Sequence, residues 1–238
     1  MRRAIAFLTP LGGAAPPSPT AMTWFPVVGA SIGLGLGGLW WGADHLWPPM
    51  VSAALVVAAD LGLTGMLHLD GLADAADGLL PPLDRARRLE VMADPRTGAF
   101  GVTAVAMVLV LRVSALTVIT PSPLLLAALW CMSRTAMVTI ARTLPYARST
   151  GLATAFLGGR AFPVACGGTI LAAALAIAGS GHLAGRPVGV IAVGAGLATA
   201  GLVAALAHRR LGGFTGDVLG AAGVLAETVG LLVLAAKW

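Results

Sequence analysis

Residues 188–207 read VGVIAVGAGLATAGLVAALA, a run of 20 residues without a charged side chain. A membrane-spanning helix needs about 20 consecutive apolar residues, so this stretch is long enough to cross a bilayer. Of the 238 residues in the chain, 58% are hydrophobic and only 11% are charged. Soluble domains carry about 25% charged residues, so a chain this apolar cannot cover itself with polar surface. The sequence therefore predicts an all-α, polytopic integral membrane bundle.

Similar apolar runs recur along the chain and define its organisation. They predict about seven transmembrane helices within a single domain over residues 1–238. In the first run, Gly29, Gly33 and Gly37 share one helix face, a spacing that predicts close helix packing. A further segment, residues 83–92, is expected to be amphipathic and to lie along the membrane interface. The predicted spans are residues 24–43, 49–67, 99–120, 123–142, 164–181, 188–207 and 218–236.

Connections that hold basic residues alternate along the chain with connections that hold almost none, so the basic residues gather on one side of the predicted spans. The connections on the opposite side hold only Arg186, and Lys237 follows the last predicted span. Under the positive-inside rule, the N-terminus and the polar chemistry are expected to face the cytoplasm from the cell (inner) membrane. The net charge of +5 is spread over loops without interleaved aromatics, which argues against nucleic-acid binding. The basic connections hold Arg2, Arg3, Arg85, Arg87, Arg88, Arg96, Arg142, Arg148, Arg160, Arg209 and Arg210.

Three aspartates share one predicted helix face in the segment His68–Gly78, which reads HLDGLADAADG. Asp70, Asp74 and Asp77 are spaced i, i+4 and i+7, so they fall within an arc of roughly 60°. Their mutual repulsion requires protonation or a bound cation. Hard oxygen ligands in this number suit Mg²⁺, which completes its shell with water and substrate phosphates. The alternative is a solvated acidic face, but the flanks are apolar and no basic residue is interleaved.

Other polar residues are predicted on the same side as these aspartates. Six of the ten acidic residues fall between positions 70 and 94. The glycine-rich segment that ends in Thr215, Gly216 and Asp217 opens the last predicted span, where backbone N–H groups can bind an anion. Asp217 is thereby placed to reach the same metal. His68 is either a contact to substrate or an ordinary interfacial histidine.

The segment between the second and third spans adds a second group of candidates. Glu90 and Asp94 share a face and are followed by Arg96 and by glycines at positions 98 and 101. This combination suits a contact to phosphate or ribose. A loop that caps the third span is the alternative interpretation.

Two arginines lie inside predicted spans, where a charged side chain is costly and normally faces a partner or a polar interior. Arg112 is expected to pair with Glu227, which is also within a span. Arg134 follows Ser133 and is expected either to meet a pyrophosphate oxygen or to pair with an aspartate.

Taken in order, these motifs resemble the cobalamin synthase family, the adenosylcobinamide-GDP ribazoletransferases. The resemblance covers nearly the whole chain. Two positions depart from the family pattern: Phe7-Leu8-Thr9 runs straight into Pro10 without an intervening basic residue, and Gly65-Met66 stands where two glycines usually precede the histidine. The resemblance is carried by Phe25-Pro26 with Gly29, by residues 68–78, by residues 89–94 with Arg96, by Ser133-Arg134, by residues 146–148, by residues 211–213, by Thr215-Gly216-Asp217 and by residues 219–221.

The resemblance implies a reaction with adenosylcobinamide-GDP and α-ribazole, or α-ribazole 5′-phosphate, as substrates. A ribazole hydroxyl would attack the phosphate on the corrinoid side chain, giving adenosylcobalamin or its phosphate, and GMP would leave. Asp94 or Asp217 is the expected proton acceptor. The expected Mg²⁺ ligands are Asp70, Asp74, Asp77 and Asp217. The expected substrate-binding residues are His68, Glu90, Arg96, Arg134, Arg148, Thr215 and Gly216.

Two other functions stay open. A membrane phosphotransferase that uses a CDP-alcohol also places aspartates on a helix at the cytoplasmic face, but its Asp-Gly is followed by Ala-Arg. Here Asp70-Gly71 is followed by residues 72–74, Leu-Ala-Asp. A cation transporter would place its carboxylates near mid-membrane instead of at the predicted edge. A homo-oligomer in the lipid bilayer is compatible with all of these functions.

Overall fold

A computed structural model describes residues 1–13, 18–148, 161–180 and 187–237. Short 3-10 turns span Pro10–Gly12 and Ala21–Trp24. Arg160 and Arg186, which entered the prediction of orientation, lie outside the described residues. The described residues contain the α-helices α1 (Arg2–Leu8), α2 (Phe25–Asp44), α3 (Pro49–Thr64), α4 (Leu67–Leu79), α5 (Arg85–Val91), α6 (Ala99–Val118), α7 (Pro123–Thr143), α8 (Ala161–Gly179), α9 (Val188–Leu211) and α10 (Gly216–Ala235).

The predicted helical membrane bundle is confirmed. In the part of the chain that the structure describes, six helices are long and apolar enough to cross a membrane, namely α2, α6, α7, α8, α9 and α10. The second predicted span, residues 49–67, differs from the expectation of a straight crossing. Its helix α3 ends at Thr64, and α4 leaves at 90° to it as a broken span or re-entrant loop.

Two residues with left-handed backbone produce this bend. Gly65 has φ 59° and Met66 has φ 57°, so the chain turns before α4 begins. Glycine adopts this conformation freely, whereas a residue with a side chain is strained in it by about 1–2 kcal/mol. In the family that the sequence resembles, two glycines usually stand at these two positions. Met66 therefore carries backbone strain immediately before α4, the helix that holds Asp70, Asp74 and Asp77.

Helix α7 is the centre of the bundle. Its most apolar 18-residue stretch is 89% buried, against 22% for that of α8. Helices α2, α8, α9 and α10 all pack on it. The predicted packing face of α2 is confirmed, because a Cβ added at Gly29 or Gly33 would run into the α7 backbone at Trp130 and Leu126.

The predicted amphipathic segment 83–92 contains α5, and its arginines donate hydrogen bonds to carbonyl groups at the C-terminal ends of neighbouring helices. Arg88 is buried and donates to the carbonyls of Gly78 and Leu79, at 2.7 and 2.8 Å, at the end of α4. Arg85 donates to the carbonyl of Leu211, at 2.7 Å, at the end of α9. Cationic side chains at helix C-termini satisfy the last carbonyls and the negative end of the helix dipole.

Candidate active site

A short backbone bridge joins the loop after α7 to the loop before α10. Tyr146 pairs with Phe214 in this parallel bridge. The N–H of Phe214 donates to Pro145 at 2.9 Å, and the N–H of Ala147 donates to Phe214 at 2.8 Å. The bridge holds Arg148 at the start of α10.

The start of α10 is capped by its own threonine. The Thr215 hydroxyl accepts a hydrogen bond from Val218 N–H at 3.3 Å and lies 3.2 Å from an Asp217 carboxylate oxygen, to which it donates. Threonine at this position satisfies one of the free N–H groups of the first turn. The guanidinium of Arg148 donates to the same Asp217 oxygen at 3.0 Å. Asp217 is therefore held by two side chains at one end of α10.

Two glycines let α4 cross α10 at this point. A Cβ on Gly71 would lie 3.0 Å from the Asp217 backbone, and a Cβ on Gly220 would lie 3.0 Å from the carbonyl oxygen of His68. A larger residue at either position would push the helices apart. The close approach brings the aspartate face of α4, with Asp70 and Asp74, to Asp217.

The resulting cluster, which we define as the carboxylates of Asp70, Asp74 and Asp217, carries excess negative charge. The charges of Asp217 and Asp70 both act on Asp74, and the charge of Arg148 opposes them. Asp70 is exposed and Asp74 is half-buried. Among the described residues, three carboxylates against one guanidinium leave the cluster short of positive charge.

The structure gives Asp77, which the sequence predicted as a metal ligand, two backbone partners. Its two carboxylate oxygens accept the backbone N–H groups of Gly98, at 2.6 Å, and Gly101, at 2.9 Å. Gly98 is the residue that precedes α6, so Asp77 satisfies the free N–H groups at the start of that helix. Asp77 is buried in this role, and both of its carboxylate oxygens are engaged by backbone N–H groups at the start of α6.

The carboxylate cluster fits a divalent cation in its chemistry. Within the described residues, no three His, Cys, Asp or Glu side chains converge closely enough to enclose an ion by themselves. Mg²⁺ does not require such a cage, because it binds through one or two carboxylates and takes water and substrate phosphates as its other ligands. Asp70, Asp74 and Asp217 supply hard oxygen donors and an uncompensated charge.

A cavity of ≈390 Å³ opens beside the cluster. Asp70, Arg148 and Asp217 line its polar part. The N-terminus of α10 reaches it at Gly216. The remaining wall is mostly apolar and includes Ala6, Phe7, Met22, Phe25, Leu67, Met137, Tyr146 and Leu219.

His68 lies in the wall of this cavity and also of a smaller one. Its side chain is 5% exposed, and within the described part of the chain neither ring nitrogen has a hydrogen-bond partner. The smaller cavity, of ≈20 Å³, has about the volume of one water molecule. It separates His68 from Arg134 and Glu227. A buried imidazole without a partner is unusual, because buried polar groups are nearly always hydrogen-bonded.

A buried ionic network, defined by Asp60, Arg112, Arg134 and Glu227, joins α3, α6, α7 and α10. Arg112 donates to Asp60 at 2.9 Å and to Glu227 at 2.6 Å, which confirms the predicted Arg112–Glu227 pair. Arg134 donates to the other oxygen of Glu227 at 2.5 Å. Trp130 donates its indole N–H to Asp60 at 3.1 Å. Arg134 therefore pairs with a glutamate, where the sequence predicted an aspartate or a phosphate.

The other predicted substrate contacts lie on the surface. Glu90 pairs with Arg87 at 2.7 Å, and both side chains are more than half exposed. Arg96 forms a bidentate pair with Asp94, at 3.0 and 2.7 Å. The guanidinium and the backbone N–H of Arg96 lower the pKa of Asp94 to about 2. None of these three predicted residues, Glu90, Asp94 or Arg96, is among the residues that line the ≈390 Å³ cavity.

Sequence reasoning gave no site role to three residues that the structure brings into this region, namely Asp60, Phe7 and Phe25. Asp60 was a lone carboxylate in an apolar run, and that signal could have identified it as a partner for Arg112. Phe7 and Phe25 both line the cavity, and their rings stack with centroids 5.7 Å apart. No role was assigned to the N-terminal end, because its motif departs from the family pattern.

Comparisons with known proteins match nearly the whole chain to one family. The sequence model of a family described as cobalamin-5-phosphate synthase matches residues 1–235. The chain is 36% identical to an adenosylcobinamide-GDP ribazoletransferase from Ectopseudomonas mendocina (strain ymp), over 98% of this chain and 97% of the relative. It is 39% identical to a protein of the same name from Pseudomonas paraeruginosa, over 98% and 96%. A third, from Chlorobium phaeovibrioides, is 36% identical over 87% and 84%. No solved structure shows significant similarity to the chain.

Proposed function

The chain belongs to the cobalamin-5-phosphate synthase family, and we propose that it is an adenosylcobinamide-GDP ribazoletransferase that accepts α-ribazole or its 5′-phosphate. In this reaction a ribose hydroxyl oxygen of the ribazole forms a bond to the phosphorus attached to the corrinoid side chain. The bond from that phosphorus to the GMP oxygen breaks, and GMP leaves with both electrons of that bond. The product is adenosylcobalamin or its phosphate.

The observation that carries the proposal is the uncompensated carboxylate cluster at the polar end of a cavity. Asp70, Asp74 and Asp217 would hold Mg²⁺, which neutralises charge on a pyrophosphate and on a leaving phosphate. Arg148 stands beside the cluster, with its guanidinium 3.0 Å from Asp217. A guanidinium in this position can bind phosphate oxygens in bidentate fashion.

Asp217 is the proposed acceptor of the hydroxyl proton. It lines the cavity and is oriented by Arg148 and by Thr215. The N-terminal turn of α10, at Gly216, directs backbone N–H groups toward the same space and suits an anionic oxygen. Positioning of this kind supplies much of the catalysis in phosphoryl transfer, since the protein itself takes little part in the covalent steps.

The reaction is tested with purified protein in detergent or liposomes, supplied with adenosylcobinamide-GDP, α-ribazole and Mg²⁺. GMP release and the corrinoid product are followed by chromatography. We expect product that disappears with EDTA and returns with added Mg²⁺. Absence of product from folded protein with both ribazole forms would contradict the reaction, and CDP-alcohol substrates would be tested next.

We also propose that the cavity faces the cytoplasm from the inner membrane. The support is the alternation of basic connections along the sequence. Membrane vesicles of opposite orientation test this, because the nucleotide substrate does not cross a bilayer. Inverted vesicles should release GMP and right-side-out vesicles should not, and the reverse result would contradict the orientation.

A further inference from the structure

The ≈390 Å³ cavity has aromatic walls that suit a flat, apolar ring system. The rings of Phe7 and Phe25 are stacked at 17° to each other. Tyr146 lines the same cavity and is held edge-on by Phe214, with ring centroids 5.3 Å apart. Aromatic faces bind heteroaromatic bases by stacking, whatever the hydrogen-bonding pattern of the base.

His68 adds one polar group to these apolar walls. It is buried, it lines the cavity, and neither of its ring nitrogens has a partner in the described part of the chain. A ligand that brings one hydrogen-bonding atom to this wall removes the cost of the unpaired imidazole. A ligand that brings several polar atoms would leave most of them without partners against apolar side chains.

The volume of the cavity distinguishes the two substrates of the proposed reaction. Ligand cavities range over roughly 300–1,000 Å³, and this one lies near the lower end. That volume suits a nucleoside. A corrin ring with its side chains is much larger, so the corrinoid must remain outside.

We infer that this cavity binds the benzimidazole nucleoside, with the base between the aromatic walls and the ribose directed to Asp70, Arg148 and Asp217. The inference rests on the proposed function and adds the place of one substrate. A glycosylated benzimidazole has a single free ring nitrogen, which matches the single imidazole of His68. The corrinoid nucleotide then approaches from the open side and presents its pyrophosphate to the carboxylate cluster.

Guanosine, the nucleoside of the leaving GMP, is the competing occupant. Its base has several donors and acceptors along one edge, and the apolar walls at Phe7, Met22 and Met137 offer them no partners. The cavity should therefore discriminate against polar bases. A purine α-riboside in place of α-ribazole is expected to bind more weakly to the wild-type protein.

The experiment compares Phe7→Leu with wild type in binding of α-ribazole by calorimetry and in KM for both substrates. Phe7 is half-buried on the short helix α1, so this change should spare the fold. We expect Kd and KM for α-ribazole to rise about tenfold, with an unchanged KM for adenosylcobinamide-GDP and unchanged inhibition by GMP. Tyr146→Leu is a second variant with the same expectation.

Phe162→Leu is the matched control, because Phe162 lies on α8 with 78% of its surface exposed and does not line the cavity. It should leave both KM values unchanged.

Turnover with an unchanged KM for α-ribazole in both cavity variants would overturn the binding site but not the reaction. Weaker inhibition by GMP with unchanged α-ribazole binding would assign the cavity to guanosine and overturn the inference. Binding of α-ribazole without any turnover by wild type would instead overturn the proposed reaction and leave the site standing.

Discussion

Two groups of charged residues lie within the bundle, and they differ in how their charges are balanced. In the buried ionic network, two arginines face two carboxylates, and each of these four side chains is at most 9% exposed. In the carboxylate cluster, Asp70, Asp74 and Asp217 are opposed by Arg148, none of the three is fully buried, and Asp70 and Asp217 line a cavity. The first group is neutral within itself, and the second is not.

This difference separates a structural from a functional use of charge. Charges inside a membrane protein are costly and persist when they pair with one another, as those of the network do. Carboxylates that are left uncompensated at a cavity retain their repulsion until a cation or a substrate offsets it. Changes in the network should therefore affect stability, and changes in the cluster should affect catalysis.

The largest expected effect is that of Glu227→Ala on stability. Glu227 accepts from Arg112, Arg134 and Ser133, so its loss leaves two buried guanidinium groups short of a partner. Removing one partner of a buried ion pair costs about 3–5 kcal/mol. The thermal unfolding midpoint in detergent should fall sharply.

The control for this change is Glu90→Ala, which removes a glutamate from a surface pair with Arg87. Exposed pairs contribute little to stability. Equal unfolding midpoints for the two variants would contradict the structural role of the network.

The second expected effect is that of Asp70→Asn on catalysis. The change removes one negatively charged oxygen ligand from the carboxylate cluster. It also removes the repulsion between the charges of Asp70 and Asp74. We expect kcat to fall by about 10²–10³, the range seen when one charge-stabilising group is lost, with an unfolding midpoint equal to or above that of wild type. Full activity with normal Mg²⁺ dependence would show that Asp70 does not hold the metal.

The network also shows how much of the fold can be predicted from the sequence. Apolar runs of about 20 residues predicted seven spans, because length and composition are local properties, and six of them match long apolar helices in the described part of the chain. The Arg112–Glu227 pair was predictable because an intramembrane charge requires a partner. The bend at residues 65–66 was not predicted, because the apolar run from 49 to 67 continues across it and composition does not report φ angles.

The candidate site was predictable in part for the same reason. Helical spacing placed Asp70, Asp74 and Asp77 on one face, and the approach of Asp70 and Asp74 to Asp217 then depended on Gly71 and Gly220. Spacing within a helix could not show that Asp77 binds the start of α6. The cavity walls come from segments far apart in the chain and carry no local signal.

The third expected effect is that of Asp77→Ala, which tests this division within the aspartate face itself. Both oxygens of Asp77 accept backbone N–H groups at the start of α6. Loss of a capping carboxylate costs about 0.5–2 kcal/mol, so the unfolding midpoint should fall less than in Glu227→Ala. Asp77→Asn keeps one acceptor oxygen and should lie between Asp77→Ala and wild type. A loss of Mg²⁺ dependence at wild-type stability would return Asp77 to the metal site.

The smallest expected effect is that of Asp94→Asn, and it decides between the two proton acceptors that the sequence predicted. Arg96 lowers the pKa of Asp94 to about 2, below the usual value of about 3.9. The stabilisation from this pair is therefore present above about pH 4 and is lost only as the pH falls toward 2. A carboxylate that stays ionised down to this pH is a weak base, since efficient proton acceptors have a pKa near the working pH.

Asp94→Asn should therefore change kcat/KM by less than about twofold and leave the pH–rate profile unaltered between pH 5 and about 9. Asp217→Asn, measured in parallel, should lower kcat strongly, because the proposed acceptor is then removed from the cavity. Loss of the acidic limb of the profile in Asp94→Asn alone would transfer the role of proton acceptor to Asp94. That result would also require the loop at residues 92–98 to move toward the cavity, and the carbonyl of Met92, which accepts from Arg148 at 3.1 Å, marks the contact that would have to break.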